Sequence, residues 1–159
     1  MAVAMYDLYR EAVYILSSQL EPPVLTFNPR RGRWRLEHPY VYDDHGFRII
    51  IQQGFEFDLA SVPRTVWAVI APFELSIVAP LIHDYLYVYG GNLPPGGVTP
   101  YQTYTRRAAD LLFLEIMRRE GIVEWRCRTA YNAVRLFGSI PWRGSTVPED
   151  ERSIVLMEV

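Results

Sequence analysis

Leu75-Ser76-Ile77-Val78-Ala79-Pro80-Leu81-Ile82-His83-Asp84-Tyr85-Leu86-Tyr87-Val88-Tyr89 is the stretch that decides how this chain is read. Ile77, Val78, Leu81, Ile82, Tyr85, Leu86 and Val88 leave a helix drawn through it no polar side, and a helix apolar all round is a buried one. Pro80 either kinks that helix or marks its true start, because it has no N–H to give. Set into the run are His83 and Asp84. A buried carboxylate without partners is costly, so Asp84 must be hydrogen-bonded, bound to a cation or facing a cavity. Tyr87 comes four residues after His83 and shares its helical face.

Downstream, Thr105 to Glu120 and Val123 to Phe137 carry helical patterns, with Gly121 placed as the cap between them. At about 100° per residue, Asp110 shares a stripe with Phe113, Leu114 and Met117, while Glu115 and Arg119 face the other way. Asp110 is thus a second carboxylate aimed inward. Two antiparallel helices would bring it against His83, orienting one ring nitrogen while the other faces substrate or water. Arg106, one turn earlier, is spaced to pair with it. The connecting Gly90 to Gly97 stretch is too rich in Gly and Pro for regular structure. It lacks the spacing, the Lys and the context of a phosphate loop, so it reads as a flexible crossover.

Upstream the character changes. Val24 to Phe27, Trp34 to Leu36, Tyr40 to Tyr42 and Phe47 to Ile51 are short β-type runs, with turns at Asn28-Pro29, Arg31-Gly32 and Asp43 to Gly46. A helix is expected over Arg64 to Ala71, another over Met5 to Leu20, and a last strand over Ser153 to Met157. The fold class is α+β: a small antiparallel sheet in the N-terminal half, then a three- to four-helix C-terminal half. Residues 1–159 form a single domain: an N-terminal helix to 22 as a docking element, a sheet half over 23–62, a helical half over 63–143 and a tail over 144–159.

Composition narrows the function classes. The 159 residues are 50% hydrophobic and 21% charged, which excludes a disordered chain. Formal net charge is −2, which argues against a nucleic-acid partner held by phosphate contacts. All sixteen cationic residues are Arg, so lysine-based chemistry is removed. The one cysteine, Cys127, excludes an internal disulfide and a cysteine-rich zinc site. No signal peptide or membrane span is legible, so the chain is expected in a cytoplasm and not exported by the Sec route. His38 and His45 fall in turns and read as solvated. Arg30, Arg31, Arg33, Arg118 and Arg119 read as solvated surface, or as a rim for an acidic partner.

Phe55-Glu56-Phe57-Asp58-Leu59-Ala60-Ser61-Val62-Pro63-Arg64 links the two halves. Ser61 before Val62-Pro63 has the form of a helix N-cap. The sharper alternative makes Ser61 a nucleophile with His83 as its base. Asp58 is a further carboxylate at the end of the sheet half.

Taken with His83-Asp84-Tyr85-Leu86-Tyr87, Ala109-Asp110-Leu111-Leu112-Phe113 and Tyr131 to Gly138 with Trp142, this segment resembles a family of uncharacterised proteins of tailed phages and prophages. That resemblance runs over about residues 46–143. It implies a phage setting and a shared polar cluster, with other virion proteins of the tail or baseplate as partners. The His-Asp-x-x-Tyr pattern with an inward Asp on the next helix is also similar to the core of calcium-dependent phospholipases. This second resemblance implies His83 as general base, Asp110 as its orienting carboxylate, Tyr87 as the hydrogen-bond partner of Asp110, and Asp84 as ligand of Ca²⁺, with Mg²⁺ second. The calcium loop of those enzymes precedes their His-Asp; here the Asp58 to Arg64 segment holds that position and would supply Asp58 or carbonyls.

Two functions follow. One is a phage-encoded, cation-assisted hydrolase acting on a host-envelope lipid or another ester. The other is a non-catalytic virion component, in which His83, Asp84, Asp110 and Asp58 satisfy one another with Arg64 and Arg106 as counter-charges.

Overall fold

The computed structural model describes residues 20–57 and 77–143. The helices expected over 5–20 and 64–71, the strand expected over 153–157, and Asp58, Ser61 and Arg64 lie outside the described residues. What is described is α+β, with the strands mostly first and three helices after them.

The expected sheet is two sheets. β1 (Leu25–Asn28), β2 (Arg33–Leu36) and β5 (Glu56–Phe57) pair antiparallel in the order β1-β2-β5. β3 (Tyr40–Asp44), β4 (Phe47–Ile51) and β6 (Val98–Thr99) pair antiparallel in the order β3-β4-β6. With neighbours on both sides, β2 has no free edge for β3, and so the chain starts a second sheet at Tyr40. β6 comes from the Gly/Pro-rich crossover, which is held by backbone bonds rather than loose. Ile50 N donates to Gly97 O (2.8 Å), Gly97 N to Pro94 O (2.8 Å) and Tyr104 N to Gly91 O (2.8 Å).

Along β3, Tyr40, Tyr42 and Asp44 point inward and alternate with exposed Val41 and Asp43. The turn is shorter than the sequence suggested: only His45 and Gly46 loop out, both at positive φ (49° and 91°), the geometry of a two-residue hairpin. Asp44 therefore belongs to the interior, where the Tyr104 hydroxyl donates to it (3.1 Å). Gln102 Nε2 donates to that hydroxyl in turn (2.7 Å). His45 meets Glu115 at the surface (2.9 Å).

The helices are α1 (Val78–Val88), α2 (Arg106–Arg119) and α3 (Glu124–Phe137). Pro80 sits in the first turn of α1, where a missing N–H costs nothing, so it marks the start and does not kink the helix. Thr105 caps α2 by accepting from Ala108 N (3.0 Å). Gly121 (φ 79°) ends α2 with the Ile122 N to Met117 O and Gly121 N to Arg118 O bonds of a Schellman turn. All of α1 but its last residue is buried. α3 lies outermost, burying only Cys127, Ala130 and Val134. None of the described helices is long and apolar enough to cross a membrane.

Glu120 at the end of α2 has a buried carboxylate oxygen with no hydrogen-bond partner among the described residues. Burial pushes its carboxyl up to about 7 from an ordinary 4.5. A raised folded value means that its stabilising contribution is complete below the unfolded value and is lost as pH rises through about 7. Glu120→Gln mimics the protonated acid at every pH. It should match wild type near pH 4.5 and exceed it by about 1–2 kcal/mol near pH 8, after allowance for partial solvent screening. Urea unfolding at the two pH values checks this.

Candidate functional site

The buried helix α1 carries His83 and Tyr87 one turn apart on the side that meets α2. Their rings lie 4.1 Å apart between centroids, and Phe113 of α2 closes on the imidazole at 4.8 Å. From α2, Asp110 reaches into this packing as its stripe requires. One oxygen, Oδ1, takes both donors of α1: His83 Nε2 at 2.7 Å and the Tyr87 hydroxyl at 2.6 Å. His83 and Asp110 are each 0% exposed.

The other oxygen faces α3. Arg135 NH1 donates to Asp110 Oδ2 at 2.8 Å, while Arg106 NH1 stands 3.8 Å from it. Arg106 also donates to the Arg135 backbone carbonyl (3.2 Å), which ties the start of α2 to α3 beside the carboxylate. Three helices thus meet at Asp110: α1 gives two donors, α3 gives one, and α2 carries the carboxylate itself with Arg106 nearby.

The electrostatics follow from this geometry. Burial works to raise the Asp110 carboxyl, but donors from His83, Tyr87 and Arg135 outweigh it and hold the group below the usual carboxylate range. Burial lowers His83, against the pull of Asp110. Burial and the Asp110 charge both raise Tyr87, which keeps its proton and remains a donor. Because an ionised Asp110 can only accept, neutral His83 must carry its proton on Nε2, leaving Nδ1 as the basic nitrogen. Long-range ¹H–¹⁵N spectra of the imidazole should show the Nε2–H tautomer, persisting below pH 6.5. A ring that protonates at or above that value would mean that the pull of Asp110 outweighs burial. The sign for stability follows: a lowered folded value gives a contribution present above pH 6.5 and lost as pH falls below it, opposite in direction to Glu120.

The structure brings His83, Tyr87, Asp110 and Arg106 together. Asp84, next along α1, is buried at 4% exposure. Among the described residues, no group of three or more His, Cys, Asp or Glu side chains is placed to hold a metal ion. Of the two expected cation ligands, Asp84 lies among the described residues and Asp58 lies outside them.

Arg135 was not legible as a member of the site. It stands eight residues after Cys127 on the flank of the buried α3 stripe, a position from which an arginine needs a carboxylate. Gly138 is a second such residue. A Cβ there would collide with the Tyr87 hydroxyl and the Val134 carbonyl, so the absent side chain is what lets Tyr87 reach Asp110. Trp142 then packs edge-on against Tyr87 at 5.0 Å, and Arg143 N donates to the Tyr87 carbonyl (3.3 Å).

The fold and this cluster define an α+β domain in which a buried His–Asp pair is clamped by Tyr and Arg. The chain belongs to the family described as "Protein of unknown function (DUF1353)", whose family model matches residues 34–134. It is similar to "Uncharacterized protein y4jT" of Sinorhizobium fredii (strain NBRC 101917 / NGR234), with 30% identity over 113 residues. That match covers 68% of this chain and 30% of the relative, so the chain spans about a third of the relative's length. No solved structure matches.

Proposed function

We propose that His83 and Asp110 are the general-base pair of a hydrolase, with ester hydrolysis as the reaction. The observation that carries this reading is the double acceptance at Asp110 Oδ1. Together, His83 Nε2 and the Tyr87 hydroxyl fix both the tautomer and the ring plane, which is what a base working through Nδ1 requires. Nδ1 removes a proton from water as the water oxygen attacks the ester carbonyl carbon. The tetrahedral species collapses, and the leaving alkoxide takes that proton back from the imidazolium. Asp110 stabilises the imidazolium throughout, and Tyr87 and Arg135 keep the carboxylate in place. Asp84, with Asp58, would hold Ca²⁺ (Mg²⁺ second), which when bound polarises the carbonyl.

A second reading is favoured by a different observation. His83 and Asp110 are fully buried, and two arginines balance the carboxylate, as in a network that only fixes a fold.

Assays on soluble and phospholipid esters, with Ca²⁺ or chelator, separate the two for wild type and His83→Gln. The hydrolase predicts turnover that falls about 10²-fold or more in the variant while its unfolding midpoint stays close to wild type. Ca²⁺ at about 100 times its dissociation constant should add about 2.7 kcal/mol of stability, lost in Asp84→Asn. No turnover by wild type, with a variant that unfolds early, assigns the cluster to structure. The phage setting is proposed on the resemblance of the motifs, with the tail or baseplate as the place of incorporation. Mass spectrometry of purified virions checks it, and virions without the protein would remove it.

A further inference from the structure

The inner stripe of α3, the outermost helix, is Cys127, Ala130 and Val134. At about 100° per residue, the stripe opposite to it is Trp125, Thr129, Asn132 and Leu136, and all four are exposed. Trp125 is 58% exposed and Leu136 73%, with Ile140 just past the helix end at 90%. The solvent face of an outer helix is ordinarily where its charges lie. Here the charges stand on the flanks and are already engaged. Glu124 accepts from Arg118 and Arg128, Arg135 donates to Asp110, and Arg126 lies over the Trp125 ring. The outer stripe itself carries no charge: a large apolar residue stands at each end, with two short uncharged polar residues between them.

The spacing of that stripe points to what covers it. From Trp125 to Leu136 the steps are four, three and four residues, which read the same in both directions. Neither a solvated helix nor contact with an unrelated partner calls for that symmetry. A second copy of the chain does, because a two-fold interface sets one patch against itself. Two α3 helices laid antiparallel about a point between Ala130 and Tyr131 place Trp125 opposite the partner's Leu136. They also place Thr129 opposite the partner's Asn132, and each contact occurs twice. The Thr129 hydroxyl donates to the Trp125 carbonyl (2.8 Å), so its oxygen keeps a lone pair for the amide N–H of the partner's Asn132.

We propose that the outer face of α3 is a homodimer interface, in which two copies of the chain pair antiparallel along the Trp125–Leu136 stripe. This holds whether or not His83 is catalytic. A standard interface takes about 20–30 residues a side, more than the 14 of α3 can give, so the dissociation constant should be on the order of 10 µM.

Sedimentation velocity of the full chain tests it. Between about 1 µM and about 300 µM the wild type should pass from monomer to dimer, and its unfolding midpoint should rise with concentration. Leu136→Glu and Trp125→Arg each set a charge against an apolar residue at both ends of the interface, and each should weaken association about 30-fold or more. Both positions are exposed, so each variant should keep the wild-type circular dichroism. Mixing the two variants should restore association, since the mixed pair has the wild-type contact at one end and an ion pair at the other. That restoration is specific to the antiparallel register. A wild type that stays monomeric overturns the proposal; should Leu136→Glu then lower the unfolding midpoint, the stripe is covered by another segment of this same chain. Association that neither variant weakens, or a mixture no tighter than its parts, also overturns it. Turnover of a soluble ester is a separate readout, so a failure here is distinguishable from a failure of the hydrolase reading.

Discussion

Asp110→Ala is expected to lower the unfolding midpoint by about 10 °C. The substitution removes the acceptor used by the His83 N–H, the Tyr87 hydroxyl and an Arg135 N–H at once, because all three donate to the one carboxylate. Breaking a buried charge pair from one side costs about 3–5 kcal/mol, and a domain of 159 residues loses roughly 2–4 °C for each. Tyr87→Phe removes the hydroxyl but leaves the carboxylate its other donors, and should cost only about 1–2 kcal/mol. The pair Asp110→Ala with Arg135→Met should cost less than the two separately, since each single change already breaks the one ion pair they share. Calorimetry of these variants decides the matter. An Asp110→Ala midpoint within 2 °C of wild type would mean that the donors do not converge there.

Gly91→Ala should be comparably damaging for a backbone reason. Gly91 has φ 75°, and a Cβ there would overlap the Tyr104 carbonyl, with its carbon at 2.6 Å and Trp142 at 3.1 Å. The clash cannot relax cheaply. Gly91 O accepts from Tyr104 N (2.8 Å), Gly91 N donates to Leu86 O (2.9 Å), and the Tyr104 side chain is engaged with Asp44. A loss of about 3–5 kcal/mol is expected, from strain and displacement together. Gly96, at φ 82° with open space around it, supplies the control. Gly96→Ala carries the strain alone and should cost about 1–2 kcal/mol. Chemical denaturation of the two variants separates the contributions, and equal losses would sink the claim of close approach.

The positions of the three described helices were readable because periodicity and punctuation agree. Thr105, Gly121 and Pro80 each mark a boundary by a local backbone requirement, and the observed ends follow them. The meeting of His83 and Asp110 was readable for a related reason: two buried polar residues on facing stripes have few other partners. The division into two sheets was not readable, since the strands that complete them, β5 and β6, are two residues each and carry no alternation to detect. Asp44 was hidden because Asp-Asp-His-Gly looks like a turn throughout, and only strand pairing shows which Asp enters the interior. Arg135 and Gly138 were hidden because their roles depend on where α3 docks, a long-range outcome without a local sequence signal.

Arg135 also sets how short the folding unit can be made. The family match stops at residue 134, one position before the guanidinium that meets Asp110 and ahead of Gly138 and Trp142. A fragment trimmed to that boundary would keep every residue of the His–Asp–Tyr group and lose the brace that neutralises it. Working fragments should therefore extend through Arg143, the residue whose amide closes onto Tyr87.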